Sequence, residues 1–149
     1  MADVMILDKK VVPVAFKVTA DEDAQPAPGH AIPLARWLAL SDAGQDMSET
    51  GVILSGDTDP MPLKGHLPTL AFVAIQFPKF ADGRGYSHAR RLRALWKFQG
   101  PIVAFGDVLR DQLHYMARSG INGFLLRPDQ DPEACLAAFS LYSSPYQYG

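Results

Sequence analysis

The sequence predicts a single α/β domain of three layers, in which a mostly parallel sheet of about four strands is flanked by helices and preceded by an N-terminal β-hairpin. Its 149 residues, 48% of them hydrophobic, suit one buried core. After residue 51, short apolar runs alternate with segments of helical spacing. That alternation is typical of parallel strands joined by right-handed crossovers.

Residues 1–20 are predicted to form the hairpin. Residues 4–7 are apolar, residues 8–10 are a polar turn, and residues 11–18 are rich in β-branched side chains. Pro13 favours a position at the edge of the sheet. After an acidic loop, residues 32–40 have the apolar spacing of a helix, with Pro33 at its first position.

Residues 51–141 are predicted to form the repeating βα core. The predicted strands are 52–54, 71–75, 102–105 and 124–126, and the predicted helices are 87–98, 108–118 and 132–141. The connection 57–70 contains several prolines, which limits it to at most one helical turn. The tyrosine-rich tail 142–149 is predicted to be irregular.

Composition excludes several classes of protein. The only cysteine, Cys135, rules out an intramolecular disulfide, a cysteine-only zinc site and a self-contained iron–sulfur cluster. The four histidines lack the spacing of metal ligands, so no metal is expected. No apolar run approaches 18 residues and the N-terminus lacks a signal-peptide pattern, so we expect a cytoplasmic protein without a membrane partner. A homo-oligomer is left open.

Basic charge is concentrated in the middle of the chain. Although the net charge is −2, residues 79–118 hold eight basic and three acidic side chains. Arg90, Arg91 and Arg93 span about 300° of a helix, so at least one is expected to be solvated surface. A nucleic-acid partner is disfavoured, because the pI is near 6.0 and no aromatic residues alternate with the basic ones on a strand.

Two polar loops follow the strands 71–75 and 102–105 and lead into helices. The carboxyl ends of parallel strands meet at one edge of a sheet, and helix N-termini there favour anions. Arginine adds planar paired donors that suit an oxyanion. The candidate anion-binding residues are Lys79, Asp82, Arg84, Tyr86, Ser87, Asp107, Arg110, Asp111 and Gln112.

Each of these residues has a role in this hypothesis. Lys79, Arg84 and Arg110 neutralise the anion. Asp82 and Asp111 orient the arginines, while Tyr86 or Gln112 donates further hydrogen bonds.

Simpler roles compete with anion binding. Ser87 and Asp107 suit the N-caps of their helices, and the remaining carboxylates suit ordinary ion pairs. Gly83 and Gly85 begin a pattern seen in dinucleotide-binding loops, but His88 stands where its third glycine belongs. A nicotinamide cofactor is therefore disfavoured, and no other cofactor is assigned.

Residues 77–93 (FPKFADGRGYSHARRLR) and 104–113 (AFGDVLRDQL) resemble a bacterial family of uncharacterised proteins. Residues 32–38 and 51–54 extend the resemblance. Members of that family are described as oxidoreductases or accessory proteins of assimilatory sulfite reduction. The resemblance implies an accessory role in sulfite reduction and cysteine biosynthesis, with sulfite reductase as a candidate partner and sulfite, sulfate or phosphate as the oxyanion.

One departure from the family pattern limits the chemistry. Where the family commonly has RCGFDAF, this chain has RSGINGF at residues 118–124, so Ser119 replaces a cysteine and Asn122 an aspartate. Thiol chemistry is therefore not available at that position.

Sulfite reduction itself lies beyond this chain, because it needs an iron–sulfur centre that one cysteine cannot ligate. Whether the protein catalyses another reaction is left open. The alternative function is a non-catalytic module that docks on sulfite reductase or another protein through the same basic face. A concave pocket at that face favours the anion, and a flat basic surface favours the protein partner.

Overall fold

The computed structural model describes residues 4–77, 84–127 and 129–141. It has an α/β fold in which helices pack against one sheet. The predicted irregular tail 142–149 lies outside the described residues.

Eight short strands alternate with helices along the chain. The strands are β1 Val4–Leu7, β2 Lys10–Pro13, β3 Lys17–Val18, β4 His30–Pro33, β5 Gly51–Leu54, β6 Val73–Phe77, β7 Ile102–Gly106 and β8 Gly123–Phe124. The α-helices are α1 Leu34–Asp42, α2 Arg84–Arg90, α3 Leu113–Arg118 and α4 Pro132–Leu141. Two 3-10 segments, Met61–Thr69 and Arg110–Gln112, and the π-helical turn Arg91–Leu95 complete the elements.

The strands form one mixed sheet with the order β2-β1-β8-β7-β6-β5-β4-β3. Strands β3 to β8 are parallel neighbours, whereas β1 is antiparallel to both β2 and β8. The prediction of about four parallel strands is therefore wrong: eight strands form a half-barrel. The predicted second strand of the hairpin, residues 11–18, is divided between β2 and β3, which lie at opposite edges of the sheet. Strand β4 was not predicted, because residues 32–40 have the apolar spacing of a helix.

The predicted hairpin is confirmed for β1 and β2, which pair from Val4 with Pro13 to Leu7 with Lys10. Asp8 and Lys9 between them have φ values of 54° and 63°. Two residues with positive φ are the signature of the tight hairpin turn whose twist matches that of the strands.

The helices pack on the convex face of the sheet. In β6, Val73 and Ile75 pack in the same core cluster as Trp37 and Leu92 of the helical layer, whereas Ala74 between them points to the other face. The expected three layers are therefore two. Each parallel strand lies beside the one that precedes it in sequence, and right-handed crossovers between such strands place every helix on the same side.

The sheet has to curve strongly because residues 14–16 alone connect its two edge strands, β2 and β3. Four peptide units span at most about 15 Å. The edges of a flat sheet of eight strands would lie about 34 Å apart. Curvature brings the carboxyl ends of the parallel strands around a common mouth.

The helices differ from the prediction mainly at their ends. Pro33 is the N-cap of α1 and the last residue of β4, not the first helical residue. The helix predicted from residue 87 begins at Arg84 and becomes a π-helical turn at Arg91. Within the described residues, no helix is both long and apolar enough to cross a membrane.

Candidate functional site

Two of the predicted anion-binding residues, Lys79 and Asp82, lie outside the described residues. Arg84 begins α2, and its Nη1 lies 2.7 Å from Asp57 Oδ1 in an exposed ion pair. Ser87 is an exposed residue inside α2, so its expected role as the N-cap is wrong.

Asp107 forms an ion pair. Its carboxylate accepts a hydrogen bond from Arg127, a cation that the sequence analysis did not include. Arg127 also binds Asp129 at 2.9 Å. The hydrogen bond that Arg127 donates to Asp107, together with the charge of Asp129, raises the pKa of Arg127. Asp107 is not an N-cap either, because the next helical segment begins at Arg110.

The remaining predicted residues lie in the 3-10 turn Arg110–Gln112. The Arg110 backbone N–H donates to Gln130 Oε1 at 3.2 Å, and the Arg110 side chain is exposed and acts electrostatically on Cys135 of α4. The Gln112 backbone N–H donates to the Leu109 carbonyl. Neither cavity described below has Arg84 or Arg110 in its wall.

A cavity of about 540 Å³ opens between α2 and α3. We call it the α2–α3 cleft. Its described lining residues are Tyr86, Arg90, Tyr115, Arg118 and Ser119. Tyr86 is the residue that this cleft shares with the predicted site, so part of the prediction lies in a concave surface.

Two arginines from different helices, Arg90 of α2 and Arg118 of α3, line this cleft. Arg90 and Arg118 are exposed, and neither has a hydrogen bond or ion pair with any residue that the structure describes. Their charges are therefore not neutralised by a described carboxylate. Such a pair of donors can hold two edges of one oxyanion.

Tyr86 adds a neutral hydrogen-bond donor. Its ring packs edge-on against Phe77 at 5.2 Å between centroids. Burial raises the pKa of Tyr86, and the negative charge of Asp111 raises it further. The phenol therefore stays protonated in neutral solution and can donate to an anion. Asp111 lies close enough to affect it, so the structure brings these two predicted residues together.

The α3 wall of the cleft is rigidly built. Ser119 is buried, and its hydroxyl donates to the Tyr115 carbonyl at 3.0 Å. Arg93 then ties this end of α3 to the π-helical turn, because its Nε donates to the Gly120 carbonyl at 3.0 Å. Gly120 has φ of 113°, and a Cβ there would lie 2.6 Å from Arg93 Cβ. Only glycine allows the two segments to approach so closely.

The described histidines and cysteine do not form a metal centre. No group of three or more His, Cys, Asp or Glu residues suited to a metal occurs in the ranges that the structure covers. His88 is buried, with Nε2 2.9 Å from the Ser55 carbonyl oxygen. Burial raises the pKa of Cys135 in α4, so its thiol is a poor nucleophile at neutral pH.

Three residues of the candidate cleft, Arg90, Tyr115 and Arg118, were not among the predicted anion-binding residues, although their spacing in the sequence contained a signal. Tyr86 and Arg90 are four residues apart, and Tyr115 and Arg118 are three apart. Both spacings place a tyrosine and an arginine on the same face of a helix. Here one tyrosine–arginine pair lies in α2 and the other in α3, and both pairs line the same cleft.

A comparison with known families identifies where this chain belongs. The family model described as "Bacterial protein of unknown function (DUF934)" matches residues 51–149, which include β5 to β8 and every described residue of the α2–α3 cleft. No curated protein matches the chain. Because the family model covers well over half of the sequence, the chain belongs to this bacterial family.

Proposed function

We propose that this protein binds a small oxyanion in the α2–α3 cleft and acts as a cytoplasmic accessory protein of assimilatory sulfite reduction. The observation that carries anion binding is the pair Arg90 and Arg118, two exposed guanidiniums without a described counter-ion that face one cavity. The resemblance of residues 77–93 and 104–113 to a family described in those terms supports the connection with sulfite.

The proposed ligand is sulfite, sulfate or phosphate. These ions carry three or four oxygens around one atom, and two arginines with a phenol supply donors from separate directions. The planar guanidinium presents paired donors that match the oxygens of such an ion. No redox step is assigned to the chain, because its one cysteine is buried and cannot ligate an iron–sulfur cluster.

Calorimetric titration with sulfite, sulfate and phosphate at matched ionic strength tests this proposal. We expect Arg90→Ala and Arg118→Ala each to weaken binding at least about tenfold. At 100 times its dissociation constant, an ion that binds only the native state should add about 2.7 kcal/mol to the free energy of unfolding.

Arg84→Ala is the matched control, since Arg84 lies in the same helix but pairs with Asp57 outside the cleft. It should bind the ion as the unaltered protein does. Loss of binding in Arg84→Ala with full binding in Arg118→Ala would place the anion at the edge of the sheet and contradict the cleft assignment.

A second candidate function is docking on a partner protein, and a separate surface favours it. Leu95 at the end of the π-helical turn is 69% exposed, and the neighbouring Trp96 ring lies 5.9 Å from both Lys64 Nζ and Arg91 Cζ. An apolar anchor beside cations suits an acidic protein surface. Sedimentation of the protein with purified sulfite reductase tests this: Leu95→Asp should abolish a complex that Arg118→Ala leaves intact.

A further inference from the structure

The concave face of the half-barrel is apolar, and no described helix covers it. Its buried residues, Met5, Ala31, Ile53, Phe72, Ala74 and Val103, all belong to strands or to the segment before β6. Phe16, in the connection between β2 and β3, lies across this face and packs on Phe72 with 4.5 Å between ring centroids. The connection therefore helps to cover this face, whose six buried residues are each at most 8% exposed.

A cavity of about 420 Å³ remains at one end of this face. We call it the mouth cavity. Its described lining residues are Val4, Val14, Phe16, Lys17, Val18, Phe105, Leu125 and Leu126. Phe105 is near the end of β7, Leu125 follows β8, and Val18 ends β3. The cavity thus lies where the parallel strands end, which is where barrels of this kind hold their ligands.

The walls of the mouth cavity are apolar with one cation. Lys17 carries the only charge among its described lining residues, and its ammonium has no hydrogen bond or ion pair with a described residue. Val14 at the rim is 39% exposed, although valine favours burial. Exposing this apolar surface to water is unfavourable in free energy, and a bound ligand would cover it and pair with the lysine.

We infer that the mouth cavity binds a small aromatic monoanion, with its ring between Phe16, Phe105 and Leu125 and its carboxylate at Lys17. The phenylalanine rings favour a flat aromatic body, which offset or edge-to-face contacts stabilise. A single ammonium matches a single negative charge, and the apolar walls penalise a second one. This ligand differs from the inorganic oxyanion of the α2–α3 cleft, which has no apolar surface to bury.

Calorimetry with 1-naphthoate, its neutral analogue 1-naphthalenemethanol and sodium sulfate tests the inference. We expect naphthoate to bind more tightly than the neutral alcohol by about tenfold, because only naphthoate can pair with Lys17. Sulfate at matched ionic strength should not displace it. Failure of naphthoate to bind, or displacement of naphthoate by sulfate, would overturn the assignment.

Variants place the ligand within the molecule. Lys17→Met keeps the length of the side chain and should lower naphthoate affinity about tenfold while leaving that of the alcohol unchanged. Val14→Asp, at an exposed position that tolerates a polar residue, should weaken both ligands. The control Lys10→Met removes an exposed lysine of β2 outside the cavity and should change neither affinity.

Arg118→Ala separates the two sites. It should weaken oxyanion binding in the α2–α3 cleft at least about tenfold and leave naphthoate binding intact. Equal naphthoate affinity in the unaltered protein and Lys17→Met, or loss of naphthoate binding in Arg118→Ala, would show that the mouth cavity does not hold the anion.

Discussion

The Arg93 side chain joins segments that are distant in sequence. Its Nη1 donates to the carbonyls of Phe98 at 2.7 Å and Gly100 at 2.8 Å, while its Nε reaches Gly120. Its Nη2 reaches Asn122 Oδ1 at 3.3 Å. Burial lowers the pKa of Arg93, and the charge of Asp8 partly offsets this effect. Arg93 therefore has a structural role, although it lies in the middle of the basic segment 79–118.

Replacing Arg93 by methionine should lower the free energy of unfolding by about 2–4 kcal/mol, because several carbonyls lose a charged donor. Urea denaturation measures the loss. Arg91→Met is the matched control in the same π-helical turn, and it should cost less than about 1 kcal/mol, since Arg91 makes a surface contact with Trp96. Equal losses in the two variants would contradict a structural role for Arg93.

Gly106 ends β7 with φ of 96°, and a Cβ there would lie 2.5 Å from the Phe77 carbonyl oxygen. Gly106→Ala should therefore destabilise the protein by about 2–4 kcal/mol. Gly65→Ala is the control, because no atom lies within 4 Å of its added Cβ. It should change stability by less than about 0.5 kcal/mol. Thermal denaturation of the pair checks this, and a mild effect at Gly106 would refute the close approach of β6 and β7.

At the scale of elements, helix α3 carries both Arg118 of the α2–α3 cleft and the titratable residue His114. Burial lowers the pKa of His114, and the positive charges of Arg118 and Lys9 lower it further. The native state therefore disfavours the imidazolium. The stability that His114 contributes is fully present above its unfolded pKa of about 6.5 and is lost as the pH falls through that value towards the native pKa.

An oxyanion bound to Arg118 should raise the pKa of His114, because it neutralises one of the charges that lower it. NMR titration of the His114 ring with and without sulfate measures the shift. Arg118→Ala should raise this pKa without any anion and remove its response to sulfate. A His114 pKa that does not respond to saturating sulfate in the unaltered protein would place the anion away from α3.

Cys135 lies in helix α4 and is buried. Desolvation and the charge of Asp131 raise its pKa, although the charge of Arg110 opposes this. We expect the native thiol to react with a disulfide reagent at pH 8 at least about 100-fold more slowly than the thiol in urea. A native rate close to the unfolded rate would mean that α4 opens readily from the sheet.

The sequence predicts these elements best where the local signals agree. Pro132 at the first helical position and the apolar spacing after it gave α4 with the observed limits. Strand β4 shows the opposite case. Its Pro33 and the regular spacing of the next residues favoured a helix, and pairing with β3 and β5 defines residues 30–33 as a strand. Of the cleft residues, the sequence singled out Tyr86 but not Arg90, because the helical phase that exposes Arg90 and half-buries Arg93 in the π-helical turn after α2 depends on tertiary contacts.

For the whole molecule, the closure of the half-barrel depends on residues 14–16. Deleting the exposed Ala15 should destabilise the protein by more than about 2 kcal/mol, because the two remaining residues span less of the distance between the sheet edges. Inserting two glycines after Ala15 should cost less than about 1 kcal/mol. Urea denaturation compares the free energy of unfolding of the two variants. Equal values would mean that the length of residues 14–16 does not limit closure of the half-barrel.

Local sequence patterns could not predict the order of the strands in the sheet either. The strand that follows the first hairpin joins the far edge of the sheet, while β1 pairs with β8 at the other end of the chain. No local pattern contains such pairings, because they depend on the curvature of the complete sheet. The predicted α/β class was correct, but the number of strands and layers was not.

The pairing of Ile6 with Phe124 joins the first strand to the last one, so it can form only after residue 124 has been synthesised. The ribosome adds residues at about 5–20 per second, so β1 exists for on the order of ten seconds before its partner β8 emerges. The tight turn lets β1 and β2 form a hairpin early, while one edge of β1 stays unpaired and open to other chains. Productive folding of this protein is therefore a competition between translation speed and aggregation through its first strand.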